Sequence, residues 1–180
     1  GNTEEQLILF LSDEVELRRE SWLSQMVGWV QLPGVSVVGI KLIDSSAKIL
    51  LNCGMAHGFN FGAVGPVFKQ ARVGSRGHQY LAAVTRNVSS VSGSCLLVKS
   101  ATFKQVGGFD AKHFPDAYGD VDLCYRIADI TGERIVQCNE IAAIHRETSN
   151  LPKNPIAIAQ YKKIYGQRFE PYLNPCINLL

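Results

Sequence analysis

The sequence predicts a single α/β domain, and three observations carry that expectation. Leu7-Ile8-Leu9-Phe10-Leu11 is an unbroken apolar run that gives way at once to Ser12-Asp13-Glu14, the mark of a buried strand ending in a polar loop. Stretches with helical periodicity alternate with β-branched runs along the chain. At 180 residues, 46% apolar and 19% charged, the chain has the size and composition of one globular domain with a full core.

The elements follow in order. Ser21 can cap a helix in which Trp22, Met26, Trp29 and Val30 share a face, and Pro33-Gly34 stops it. Val35 to Ile43 reads as a strand, Asp44-Ser45-Ser46-Ala47 as a polar turn, and Lys48 to Leu51 as the return of a hairpin. The glycine-rich stretch that follows reads as a long mobile loop over 54–86, carrying Lys69, Arg72 and Arg76. Val88–Val91 and Ser94–Val98 are extended with a break at Gly93, and Ser100 opens a short helix that Gly107-Gly108 ends.

Asp120 stands at the start of a helix in which Leu123, Ile127 and Ile130 align and Gly132 forms the C-terminal cap. Ile135–Cys138 and Ala142–Ile144 read as two short strands. Asn154-Pro155 opens a last helix running to about Gly166, so that a C-terminal helix and tail occupy 154–180.

Composition excludes several functions. Eighteen Lys and Arg against sixteen Asp and Glu leave a net charge of +2, too little for a dedicated nucleic-acid binder. Cys53, Cys95, Cys124, Cys138 and Cys176 form no close C-x-x-C pair and are odd in number, so reduced, buried thiols are expected rather than a zinc knuckle or disulfide framework. No apolar run approaches the ~18 residues of a membrane span, and the chain reads as cytoplasmic.

Three groups could carry chemistry: Asp13-Glu14, Asp120 with Asp122, and His145 with Glu147. If the fold gathers them, carboxylates and an imidazole suit a hard divalent cation shared with substrate phosphates, and a further carboxylate is free to act as a base. Each residue also has a plain structural reading: a solvated turn for Asp13-Glu14, a helix cap for Asp120, a satisfied histidine for His145. Lys69, Arg72 and Arg76 read as a solvated face, and Trp22 and Trp29 as core.

Together the motifs resemble a family. The runs Arg86-Asn87-Val88-Ser89-Ser90-Val91-Ser92-Gly93-Ser94-Cys95-Leu96-Leu97-Val98, Phe103-Lys104-Gln105-Val106-Gly107-Gly108-Phe109-Asp110, Asp120-Val121-Asp122-Leu123-Cys124-Tyr125-Arg126 and Ile144-His145-Arg146-Glu147-Thr148 are similar to the acceptor half of family 2 glycosyltransferases. The likeness is collinear from Leu7 to about Asn150. Glu170-Pro171-Tyr172-Leu173-Asn174-Pro175 resembles a tail segment of bacterial polysaccharide and O-antigen members.

The resemblance implies a GT-A-like fold, a mixed sheet flanked by helices, and an inverting transfer of sugar from a nucleotide-sugar donor to a saccharide or lipid-linked acceptor. By that likeness Asp120 is the general base, and Glu14, Asp13 and His145 surround magnesium or manganese on the donor diphosphate, with Asp13 and His145 also near the donor. Gly93, Gly108, Phe109 and Asp122 fall on the acceptor side. An aspartate near its ordinary pKa of ~3.9 is ionised and ready to take a proton at neutral pH.

Family members carry a nucleotide-binding segment before the position of Glu14, so the resemblance also implies a fragment that lacks its donor-binding half. An exposed first strand could then pair two copies. A location at the inner face of the membrane follows from the same likeness. The alternative is a non-catalytic carbohydrate- or protein-binding module on the same scaffold.

Overall fold

The computed structural model describes residues 6–146 and 154–173. Nine strands and four α-helices are described: β1 (Leu7–Leu11), β2 (Val15–Glu16), α1 (Trp22–Val30), β3 (Val35–Ile43), β4 (Leu50–Asn52), β5 (Met55–Asn60), β6 (Ala63–Pro66), β7 (Arg86–Asn87), β8 (Cys95–Lys99), α2 (Ser100–Gln105), α3 (Gly119–Thr131), β9 (Arg134–His145) and α4 (Pro155–Tyr165). The main sheet runs β1-β8-β3-β9-β2, with β4 added to β3 and β7 to β9. It is mixed: β8 lies antiparallel to β1 and β3, whereas β3 and β9 are parallel.

Both faces of this sheet are covered, which is why β1 is apolar throughout and β3 is buried along nearly its whole length rather than alternating. Leu7 and Leu9 of β1 pack with Val35, Val38, Leu97 and the Met26–Val30 face of α1. Ile8 and Phe10 turn to the other side, against Phe103, Leu96, Leu123 and Ile127. Cys53, Cys95, Cys124 and Cys138 are free and buried. Burial pushes the Cys53 thiol up to about 11 and those of Cys95 and Cys124 to about 12, so they serve as packing groups. Among the described residues no helix is long and apolar enough to cross a membrane.

Three expectations need correction. The stretch expected as one loop over 54–86 holds the β5–β6 hairpin and a 3-10 turn at His78–Tyr80. Gly62 turns that hairpin at φ +79°, and Gly58, at φ +90°, sits within β5 where its register against β6 shifts between Ala56 and Asn60; the chain beyond is tied to β4 by Leu50 N donating to Ala71 O at 2.7 Å. Ile135–Cys138 and Ala142–Ile144 belong to one strand, β9. Its register against β3 jumps from Ile40↔Cys138 to Lys41↔Ala142, so Asn139–Ile141 form a bulge that breaks the sequence pattern without ending the strand. Ile130, expected on the inner face of α3, is exposed, while Leu123 and Ile127 are buried.

The C-terminal part is held by an aromatic cluster. Tyr161 is buried among Met55, Val64, Phe114, Tyr118, Val121 and Tyr125. Its hydroxyl meets His57 Nδ1 at 2.7 Å and the Tyr125 hydroxyl at 3.2 Å. Glu170 accepts from His57 N and from Ser89 Oγ, both at 2.8 Å, which fastens the segment after α4 to β5. Asn154 caps α4 through its side chain, with Pro155 as the first helical residue, as that dipeptide predicts.

Candidate active site

The connection from β1 to β2 builds one end of the site. β1 and β2 lie at opposite ends of the strand order, and only Ser12, Asp13 and Glu14 join them. Ser12 N donates to Ser94 O at 2.9 Å, and Arg146 N donates to Glu14 O at 2.9 Å. The pairing Val15↔His145 then brings the Glu14 carboxylate to 3.6 Å from His145 Nε2. The same nitrogen lies 3.3 Å from Ser94 Oγ. His145 is buried, whereas Asp13 at the apex of the turn is exposed.

One residue before Ser94, the chain meets Asp120. Gly93 N donates to Asp120 Oδ2 at 2.7 Å, and Val121 N donates to Oδ1 at 2.9 Å. A Cβ on residue 93 would stand 3.1 Å from Asp120 Cβ, so glycine permits this approach of backbone to carboxylate. Burial raises the Asp120 pKa, and the backbone N–H groups of Gly93 and Val121 oppose the rise. The expectation of an ordinary aspartate is corrected accordingly: desolvation disfavours the charge more than these donors stabilise it.

Asp120 does not cap α3. The residue before the helix is Tyr118, which adopts a left-handed conformation at φ +65°, an uncommon state for a side chain of this size and one often found at functional sites. The Tyr118 hydroxyl accepts from Asn60 Nδ2 at 3.2 Å, which ties the start of α3 to the β5–β6 hairpin.

A cleft of about 570 Å³ opens in front of Asp120, lined by Ser92, Gly93, Ser94, Asn52, Met55, Phe109, Phe114 and Tyr118 among others. Its volume falls in the ~300–1,000 Å³ range of small-molecule sites. Phe109 forms part of its rim and is 40% exposed, set edge-on against Phe10 with ring centroids 4.9 Å apart. Of the residues expected on the acceptor side, Gly93 and Phe109 line this cleft, and Gly108 and Asp122 stand behind it. Asp122 is buried, where its Oδ2 accepts from Arg126 Nε and Nη2 at 2.8 and 2.6 Å, and its Oδ1 from the Tyr165 hydroxyl at 2.6 Å. Arg126 also donates to Val106 O and Gly108 O at 2.6 and 2.7 Å, so this pair holds the backbone that presents Phe109.

The fold therefore gathers Glu14, His145 and Asp120 around the Gly93-Ser94 backbone, with Asp13 at the outer edge; Glu147 lies outside the described residues. Glu14 and His145 are not among the residues lining the 570 Å³ cleft; they stand beyond Ser94. Among the described residues no three His, Cys, Asp or Glu side chains gather as a metal site. Glu14 and His145 offer one carboxylate and one imidazole, a donor set that suits a cation taking most of its ligands from phosphate and water. Sequence reasoning missed Ser94 and Tyr118: Ser94 sits inside a recognised run without chemistry of its own, and a left-handed tyrosine leaves no sequence signal.

No family model matches the chain. It is 30% identical over 185 residues to the O-antigen biosynthesis protein RfbC of Myxococcus xanthus, an alignment covering 97% of this chain and 14% of that protein. It is also 30% identical over 122 residues to an uncharacterized protein of Sinorhizobium fredii, covering 68% of this chain and 13% of that protein. The chain thus spans 14% and 13% of the lengths of these two relatives, with a bacterial protein named for O-antigen biosynthesis aligned along nearly all of it.

Proposed function

We propose that this chain is the acceptor-side part of an inverting glycosyltransferase of bacterial polysaccharide synthesis, with Asp120 as general base. The observation that carries the reading is the Asp120 carboxylate, partly buried at a cleft of ligand size and fixed by two backbone N–H groups. The similarity to an O-antigen biosynthesis protein supports the substrate class.

In this reading an acceptor hydroxyl lies in the 570 Å³ cleft within about 2.6–3.2 Å of an Asp120 oxygen. Each carboxylate oxygen spends one lone pair on a backbone N–H and keeps another for the substrate. The hydroxyl oxygen forms the new bond to the anomeric carbon as the bond from that carbon to the diphosphate oxygen breaks. The hydroxyl proton passes to Asp120, and the nucleoside diphosphate leaves with inversion. Raising the pKa of Asp120 toward working pH strengthens it as a proton acceptor. Glu14 and His145, with Asp13 nearby, would hold magnesium or manganese, which when bound neutralises charge on the departing diphosphate.

The test is Asp120→Asn in the full-length protein, assayed by nucleoside diphosphate release from UDP-, GDP- and dTDP-sugars with manganese and a glycan acceptor. Loss of general-base assistance lowers kcat by about 10²–10⁴-fold while the melting temperature stays close to the parent value. In the parent, the acid limb of kcat/KM lies above the ordinary aspartate value of ~3.9, because the base is raised. Transfer at the parent rate by Asp120→Asn refutes the assignment, and saccharide binding without transfer by any form favours the binding-module alternative. A thermal-shift titration of this chain with manganese and the same donors, repeated with Asp13→Ala/Glu14→Ala, reads the diphosphate site directly.

A further inference from the structure

A second cleft of about 280 Å³ adjoins the first. The segment Phe114–Ala117 lines both, so the two hollows are separated only by this short divider. The divider is firmly held: Phe114 is buried and stacks on Tyr165, with ring planes 15° apart. Asp110 Oδ1 accepts from Lys112 N and His113 N at 3.1 and 3.0 Å, which fixes the turn leading into it.

The far wall of the second cleft comes from the first turns of α4. Ile156 stands there 79% exposed, a large apolar side chain facing open space. Around it are the Gln160 amide, the Lys112 ammonium and the Asp116 carboxylate, and among the described residues no hydrogen bond or ion pair holds any of these three side chains. His113 spends Nδ1 on Asp110 Oδ2 at 2.7 Å and keeps its other ring nitrogen available.

These groups match the chemistry of a sugar ring. Its hydroxyls both donate and accept, as Gln160, Lys112 and Asp116 together can answer, and its C–H face needs an apolar platform such as Ile156. One cationic and one anionic side chain leave the wall without a dominant charge, which suits a neutral ligand. The volume is below the usual range for a whole ligand, so it fits one part of a longer molecule.

We infer that the second cleft is an acceptor subsite: the substrate is an oligosaccharide whose reacting residue lies beside Asp120 and whose next residue crosses Phe114–Ala117 to rest on Ile156 and Gln160. This rests on the proposed function, since it extends the acceptor cleft of that reading.

The experiment uses the isotope-labelled chain and follows backbone amide shifts. The probes are methyl glycosides of glucose, galactose, mannose and rhamnose, and di- and trisaccharides ending in the same residues. For one series the oligosaccharide binds at least tenfold tighter than its methyl glycoside. It shifts the amides of Ser92 and Gly93 together with those of Lys112, His113 and Gln160. Ile156→Ser and Gln160→Ala then reduce oligosaccharide affinity to that of the methyl glycoside and leave the latter unchanged.

Oligosaccharides that shift Ser92 and Gly93 alone, or that bind no tighter than single residues, overturn the subsite and leave the acceptor cleft standing. Sodium sulfate shifting Lys112, His113 and Gln160 where saccharides do not identifies an anion site and also overturns it. No shift with any saccharide defeats both readings. Full transfer by Asp120→Asn, with oligosaccharide binding intact, defeats only the assignment of the base.

Discussion

Removal of the Asp122 carboxylate should cost this fold about 3 kcal/mol, because breaking a buried ion pair leaves an uncompensated charge at ~3–5 kcal/mol, here discounted for partial exposure. The side chain of Asp122 is 4% exposed and that of Arg126 22%, so water reaches only one partner. Asp122→Ala takes two hydrogen bonds from Arg126 and one from Tyr165, while Arg126 keeps its contacts to Val106 O and Gly108 O. Asp122→Asn retains an acceptor for Tyr165 or Arg126 but loses the charge, and should cost about 1.5–2 kcal/mol, the lower part of the range for one charged hydrogen bond.

The assay is urea unfolding of the parent, both Asp122 variants, Arg126→Met and the double variant Asp122→Ala/Arg126→Met. The midpoint should fall without a change in slope, and the melting temperature should drop by about 6–12 °C for Asp122→Ala, at ~2–4 °C per kcal/mol in a domain of this size. The cycle should give a coupling energy of about 1–3 kcal/mol. A cost under ~1 kcal/mol for Asp122→Ala, the level of a screened surface pair, would refute the argument that this pair holds the wall behind Phe109.

Two further outcomes follow from the packing and the charges. A Cβ at residue 39 would lie 2.4 Å from Val91 Cβ, far inside the ~3.5–4.0 Å carbon contact distance. Gly39→Ala should therefore destabilise the domain by about 1–3 kcal/mol and displace Val91 together with the Ser92-Gly93 backbone beside Asp120; denaturant midpoints and the Gly93 amide shift check both effects. Burial lowers the His57 pKa, with Glu170 opposing and Arg168 reinforcing the shift, while Tyr161 faces its Nδ1. The unfolded chain then binds more protons than the fold between the lowered value and the ordinary ~6.5, so stability should fall as pH drops below ~6.5. His57→Gln should flatten that dependence in melting scans across this interval, and parallel curves for the two proteins would count against the assignment.

The sequence carries β1 and β3 plainly, the first as an apolar run and the second as a β-branched, largely apolar one, and α4 equally so through Asn154-Pro155. It carries Gly132 as the left-handed end of α3, at φ +70°. It obscures the β5–β6 hairpin, since glycines inside its strands and at its turn look like looseness, and it splits β9, since a bulge looks like two ends. Within the site, Asp120, Glu14 and His145 are legible as residue types at strand and helix ends. Their meeting is not, because it depends on which strands are neighbours. Asp122 shows the converse: a polar residue two places from a candidate base looks functional, and its partner Tyr165 lies 43 positions away, beyond any local pattern.

The short tie between β1 and β2 sets a length limit on the whole molecule. Four strand spacings separate those strands in the order β1-β8-β3-β9-β2, about 19 Å across a flat sheet at ~4.8 Å each. Leu11 to Val15 can reach only about 14 Å even when fully stretched, at ~3.6 Å per residue. The sheet must therefore twist out of the flat between β1 and β2 to close that gap. The three residues that carry Asp13 and Glu14 thus act as a drawstring: a longer link would no longer hold the two edges of the sheet to this separation, and the Glu14 carboxylate would no longer be drawn to His145.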